Sequence, residues 1–302
     1  MNEIYKEIKR LLMAGSMKME EGEAKAVALL LLEKVCGMTA VEVLSGMGTT
    51  RLQHGELMEM ARRVAEGEPV QYVLGEAEFC GMVMRVEPGV LIPRPETEEL
   101  VRWVIEEGQR VRSEERGARS KGQEGWKKVL DVGTGSGCIA VALAKMLKDA
   151  EVEAWDVSDV AVRVAKGNAE RNGMKVEVKK VDVMELQQGC CMENRFEVMV
   201  SNPPYICEEE AEAMERNVLE HEPRLALFVP NDDPLLFYRK IAEIGLQLLK
   251  AEGRLFFEIN QRFGKEVVKL LEGMGYVGVE LRCDFYGNDR MVKAIKAADV
   301  RY

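Results

Sequence analysis

Histidine is nearly missing from this chain: His54 and His221 are the only two in 302 residues. That removes the donors of a histidine-rich metal centre and the base of a Ser-His-Asp hydrolase. No run of about 18 apolar residues occurs, so no membrane-spanning helix is expected. The longest apolar stretch, residues 26–32, reads as part of a buried helix. The start, Met1-Asn2-Glu3-Ile4-Tyr5-Lys6, turns polar and charged at once, unlike a signal peptide. Seven cysteines form no C-x-x-C pair, and their odd number argues against a disulfide framework. The vicinal Cys190-Cys191 pair reads as two ordinary thiols rather than a redox switch. Together these absences predict a cytoplasmic protein. Basic charge is also in deficit, with a formal net charge of −10. Proteins that grip phosphates unaided usually show a basic surface, so no stable nucleic-acid partner is expected.

What is present suits a globular protein with an α/β domain and something smaller. Residues 1–75 read as a helical domain. Ile4, Ile8, Leu11 and Leu12 share one helical face, and residues 24–35 are apolar nearly all round, as in a central bundle helix. Thr39-Ala40-Val41-Glu42 has the spacing of a capping box, and residues 52–64 supply another amphipathic segment. Residues 76–92 form a linker with a short β-hairpin that turns near Gly81. Residues 93–302 follow, with Pro93-Arg94-Pro95 as a stiff extended connector into a helix. Residues 106–125 are dense in charge and read as a solvated loop or helix extension. Beyond them strands alternate with helices: strands at 128–130, 152–155, 176–180, 196–200 and 254–259, helices at 139–147, 158–171, 233–249 and 265–274. This is the signature of an open, mostly parallel α/β sheet. Two final strands, 278–282 and 291–295, are joined so tightly that they must pair antiparallel.

The first strand runs into Asp131-Val132-Gly133-Thr134-Gly135-Ser136-Gly137. Three glycines let the backbone turn sharply and approach a ligand. The dinucleotide fingerprint requires a third glycine that is absent here, where Cys138 and Ala140 stand. The D-x-G-x-G-x-G spacing instead resembles the first motif of Rossmann-like S-adenosylmethionine methyltransferases, in which the loop wraps a methionine moiety. Asp156, closing the second strand, either accepts two ribose hydroxyls or caps the next helix. Asp182-Val183, after the third strand, either borders an adenine or is a plain loop.

Ser201-Asn202-Pro203-Pro204-Tyr205 follows the fourth strand. Ligands of open α/β sheets bind at the carboxyl ends of strands, so this segment should face the glycine loop. Two consecutive prolines fix φ and remove two N–H donors. What remains is rich in acceptors, the Asn202 side-chain carbonyl and backbone carbonyls, with Tyr205 as an aromatic surface. Such a site suits a planar –NH₂ group. With no histidine placed as a base, positioning and electrostatics should carry the rate of methyl transfer.

The chain resembles the release factor glutamine methyltransferase (PrmC/HemK) family. The resemblance rests on the two motifs above, on residues 69–79, on residues 90–101 with Ile92-Pro93-Arg94-Pro95-Glu96-Thr97-Glu98-Glu99 at their centre, and on Glu222-Pro223-Arg224-Leu225-Ala226-Leu227 followed by Phe237-Tyr238. It implies S-adenosyl-L-methionine as cofactor, S-adenosyl-L-homocysteine as product, and class 1 peptide chain release factors as partners. The methylated group would be the side-chain nitrogen of the glutamine in their Gly-Gly-Gln motif. Asp131, Gly133, Thr134, Gly135, Ser136, Gly137, Asp156, Asp182, Val183 and Asn202 would then border the cofactor. Asn202, Pro203, Pro204 and Tyr205 would hold the glutamine, and the helical domain would dock the release factor. A monomer is expected. The chain departs from the family at Phe228-Val229-Pro230-Asn231-Asp232-Asp233, and at Val183, where relatives carry tryptophan. The rival is a nucleic-acid amino-methyltransferase of the adenine-N6 type, which also uses an Asn-Pro-Pro-Tyr-like segment. A non-catalytic binding module is the third reading.

Overall fold

The computed structural model describes residues 3–46, 51–116, 126–187 and 195–298, with the side chains of residues 51–53 and 112–116 left aside. The Cys190-Cys191 pair and residues 117–125 of the charged stretch lie outside the described residues. The chain divides into two compact units. The first comprises Met1–Glu76 with Met214–Glu222, and the second Ala77–Ala213 with Pro223–Tyr302.

The first unit is helical: α1 (Glu3–Ala14), α2 (Glu21–Cys36), α3 (Ala40–Ser45), α4 (Arg51–Ala65) and α5 (Val70–Leu74). Its centre is α2, which buries Ala24, Val27, Ala28, Leu31 and Leu32 against Tyr5, Ile8 and Leu12 of α1 and Leu57 and Ala61 of α4. The capping box forms as the spacing predicts: Thr39 Oγ1 accepts from the Glu42 amide at 3.3 Å, and Glu42 Oε2 accepts from the Thr39 amide at 2.8 Å.

The second unit opens with the hairpin β1 (Glu76–Phe79) and β2 (Met82–Arg85). Cys80 and Gly81 both have positive φ, 49° and 65°, as a two-residue hairpin turn matched to strand twist requires. Helix α6 (Pro95–Arg116) follows, so the start of the charged stretch is a helix extension. Then come β3 (Lys128–Val132), α7 (Cys138–Met146), β4 (Glu151–Asp156), α8 (Asp159–Arg171), β5 (Val176–Lys180) and β6 (Phe196–Ser201). The next stretch holds β7 (Ile206–Cys207), α9 (Arg216–His221, in the first unit), α10 (Arg224–Leu227) and β8 (Phe228–Val229). The chain finishes with α11 (Leu236–Leu248), β9 (Leu249–Glu258), α12 (Gly264–Gly273), β10 (Tyr276–Cys283) and β11 (Asp289–Lys296).

Seven strands make one sheet in the order β10-β11-β9-β6-β3-β4-β5, parallel except that β11 runs antiparallel to both its neighbours. Successive residues of a strand face opposite sides, and the two cores follow that rule. Val129, Val198, Val200 and Phe256 face the layer of α6, α7 and α8, while Leu130, Met199 and Phe257 face α11 and α12. The result is a three-layer α/β/α sandwich around an open, mostly parallel sheet, as the alternation predicts, and of the Rossmann-like form that the resemblance of the glycine motif implies. From β3 the chain moves first outward through β4 and β5, then crosses to β6 on the other side. That reversal between β3 and β6 is a topological switch point, where open sheets bind ligands.

Candidate active site

The two sequence motifs meet at this switch point. Val132 of β3 pairs with Ser201 of β6 on one side and with Trp155 of β4 on the other. Gly133, Asn202 and Asp156 therefore leave the sheet from three adjacent strand ends. Ser201 Oγ, fully buried, donates to the Val132 carbonyl at 2.6 Å and clips the two loops together.

The three glycines of the loop all have positive φ, 71°, 54° and 82° at Gly133, Gly135 and Gly137. They serve different ends. A Cβ on Gly137 would lie 2.9 Å from the Ala165 Cβ, so this glycine lets α8 pack close. A Cβ on Gly133 or Gly135 would meet no heavy atom within 4 Å, which leaves an open cradle. The loop amides are largely spent inside the protein. Those of Gly133 and Thr134 donate to the Trp155 carbonyl, that of Gly137 to the Thr134 carbonyl, and that of Gly135 to Asp156 Oδ2 at 2.8 Å. A pyrophosphate needs such amides free, so the loop does not suit one.

Acceptors are what the rim offers. Asp131 is fully buried; its Oδ2 takes the Thr134 hydroxyl at 2.6 Å and the Ala140 amide at 3.2 Å, while its Oδ1 has no partner among the described residues. Burial pushes its carboxyl up to about 7, against the pull of Thr134 and Ala140. Asp156 takes the Gly135 amide on one oxygen and the Ser158 amide on the other, and burial raises its carboxyl as well. It thus supports the start of α8, although Ser158 Oγ is the side chain that caps that helix. Asp182 Oδ1 accepts the Met184 amide at 2.8 Å, and Val183 packs on the core beside it. Thr134 and Ser136 are both buried. This donor-poor, carboxylate-rich site fits a ligand that brings its own ammonium, hydroxyl and amine hydrogens.

On the other side of the switch point lies a polar chain of contacts. Asn202 Nδ2 donates to Thr97 Oγ1 at 3.2 Å, Thr97 Oγ1 donates to Glu258 Oε2 at 2.6 Å, and Tyr205 Oη donates to Glu258 Oε1 at 3.0 Å. Glu258 is 1% exposed, and burial raises its carboxyl against the opposing pull of Thr97, Tyr205 and Arg290. Burial and the Glu258 charge hold the Tyr205 phenol far above its ordinary value, so it stays protonated. The Tyr205 backbone is pinned from both sides, its amide to the Leu227 carbonyl and its carbonyl to Asn260 Nδ2.

The family model for the PrmC N-terminal domain matches residues 6–75, and that for the methyltransferase small domain matches residues 121–225. The release factor glutamine methyltransferase of Bacteroides thetaiotaomicron is 42% identical over 90% of this chain and 92% of its own length. The chain belongs to the release factor glutamine methyltransferase family. That of Bacillus subtilis is 36% identical over 93% of this chain and 95% of its own. Among solved structures, a methyltransferase from Pyrococcus furiosus matches the fold, with 17% identity, a TM-score of 0.50, and coverage of 72% of this chain and 90% of that one.

Several residues of this family member's site escaped the sequence reading. Thr97 lies in the stretch that carries the family resemblance and Glu258 inside the expected strand 254–259, and neither stands out there as a site residue. Glu258 left a signal: it is a carboxylate closing the apolar run Leu255-Phe256-Phe257 at the carboxyl edge of the sheet. Asn168 left none. It is wholly buried in α8, and its amide bridges Arg85 of the hairpin, through both backbone groups, and the Ser136 carbonyl of the glycine loop.

Proposed function

We propose that this chain transfers a methyl group from S-adenosyl-L-methionine to the side-chain amide nitrogen of the glutamine in the Gly-Gly-Gln motif of class 1 release factors. Family membership supports the substrate. The observation that carries the chemistry is the pairing of Val132 with Ser201, which sets the glycine loop and Asn202-Pro203-Pro204-Tyr205 side by side at the switch point.

The cofactor supplies a methyl carbon made electrophilic by its sulfonium. Gly133 and Gly135 leave room for its amino-acid end, with Asp131 beneath the loop. Asp156 keeps a second lone pair on each carboxylate oxygen that could accept ribose hydroxyls, and Asp182 and Val183 would border the adenine. An amide nitrogen is a weak nucleophile because its lone pair is delocalised. Asn202 Oδ1 and the Pro203 carbonyl would each accept one N–H of the glutamine amide, aiming the nitrogen along the transfer axis. Pro203 and Pro204 fix that geometry through their locked φ, and Tyr205 supplies a flat surface against the amide. The second unit contains no histidine, and the Tyr205 phenol keeps its proton, so neither group takes the amide proton. Acceptors that strengthen as the nitrogen gains positive charge do the work instead, and the amide proton leaves to solvent with transfer.

In this reading residues 1–75 dock the release factor, residues 76–92 link the domains, and residues 93–302 carry the catalysis. The protein acts as a cytoplasmic monomer without a stable nucleic-acid partner. No helix of the described residues is long and apolar enough to cross a membrane. Incubation with methyl-labelled cofactor and, in parallel, release factor, DNA and tRNA should put label on the release factor. Label on nucleic acid alone overturns the reading.

A further inference from the structure

We infer that Thr97 and Glu258 form a hydrogen-bond relay whose task is to fix which way the Asn202 amide points. The inference rests on the function proposed above and concerns two residues outside both motifs.

In its ionised form Glu258 has no hydrogen to give, and it lies between two hydroxyls that donate to it, Thr97 at 2.6 Å and Tyr205 at 3.0 Å. Thr97 has one hydroxyl hydrogen, and Glu258 takes it. Thr97 Oγ1 can then only accept, so the Asn202 atom 3.2 Å away must be its –NH₂ group. Asn202 Oδ1 accordingly points the other way and accepts no hydrogen bond from the described residues, which leaves it for a substrate N–H. A flipped Asn202 would press Oδ1 against the Thr97 oxygen with no hydrogen between them. It would also turn two donors against the two donors of the substrate amide, so the wrong rotamer costs at both ends.

The relay is insulated and anchored at separate points. Thr97 and Glu258 are 2% and 1% exposed, so water does not substitute for either partner. Thr97 comes from the first turn of α6, Glu258 from the end of β9, and Asn202 from the loop after β6. The Thr97 and Tyr205 hydroxyls and Arg290 pull Glu258 toward the charged form that sets the direction of the relay, against the burial that raises its carboxyl. Thr97 and Glu258 are thus positioning residues, which act through Asn202.

Three variants test this on the full chain with release factor as substrate: Thr97→Val, which keeps shape and loses the hydroxyl; Thr97→Ser, which keeps the hydroxyl; and Glu258→Gln, which keeps shape and can donate into the relay. For Thr97→Val and Glu258→Gln, kcat should fall roughly 10- to 100-fold. Cofactor affinity, which also reports folding, should stay within about threefold for both, and Thr97→Ser should hold kcat within about threefold. The double variant Thr97→Val/Glu258→Gln should be no worse than the poorer single one, because both break one relay. Wild-type kcat in Thr97→Val, or losses that multiply in the double variant, overturn the relay. If Glu258→Gln fails to fold, the contrast between valine and serine at position 97 decides alone. Failure of the wild-type enzyme to methylate the release factor would overturn the proposed substrate, a result distinct from loss of the relay.

Discussion

Alanine at Gly137 and alanine at Gly135 should damage the protein in different ways, although the two glycines stand two positions apart in one motif. At Gly137 the new Cβ meets Ala165 Cβ at 2.9 Å and Cα at 3.0 Å, and φ is 82°. The left-handed backbone costs about 1–2 kcal/mol for a residue with a Cβ. Overpacking against α8 adds about 1–3 kcal/mol. The sum, roughly 2–5 kcal/mol, should lower Tm on the order of 5–15 °C for a chain of this size. At Gly135 φ is 54° and the Cβ enters open space, so only the backbone strain applies and Tm should fall by no more than about 5 °C. That same Cβ occupies the cradle, where one overlapping methyl should weaken cofactor binding roughly 5- to 100-fold. Differential scanning fluorimetry and isothermal titration of both variants separate the two effects. An unchanged Tm for Gly137→Ala, or full cofactor affinity for Gly135→Ala, would refute the division of labour between packing and binding.

Asn202→Ala should lower kcat by at least about 100-fold while cofactor affinity stays within about threefold, read by steady-state kinetics and titration calorimetry. Asp131 gives a pH dependence with a definite sign. Its carboxyl sits near 7 in the folded protein against 3.8 ordinarily. Between those values the folded state holds a proton that the unfolded state releases, so stability falls as pH rises from about 4 to 7 and is level above. The full span is about 4 kcal/mol, and Asp131→Asn should flatten the slope in urea denaturation at pH 5 and 7.5. Asn168→Ala strips partners from Arg85 and from the glycine loop and should cost about 2–4 kcal/mol by the same method; a loss under half a kcal/mol would contradict its bridging role.

Much of this architecture is legible in the chain because the interactions that set it are local or periodic. The alternation of β3 to β6 with α7 and α8 appears directly as short apolar runs between amphipathic segments, and the capping box at Thr39 and Glu42 is contained in four residues. The site is legible where a motif lies in one stretch, as at Gly133–Gly137 and Asn202–Tyr205. It is not legible where function is assembled across the fold. The contact between Thr97 and Glu258 spans 161 positions, and nothing in either neighbourhood names the other. Asn168 is equally opaque, since its partners lie 83 and 32 positions away and helix periodicity only says that it faces inward. Strand ends are also blurred. Strand β9 begins at Leu249, five residues before the expected start at Arg254, because pairing with Phe196 draws in a segment that reads as helix end and turn.

The central claim is that the paired loops at the β3–β6 switch point methylate a glutamine amide. Tandem mass spectrometry of the Gly-Gly-Gln peptide, after release factor has been incubated with this protein and S-adenosyl-L-methionine, tests it most directly. The account predicts a single methyl group on the glutamine side chain, present with the wild-type chain and lost with Asn202→Ala. An unmodified glutamine, or a methyl group placed on any other residue, would contradict it.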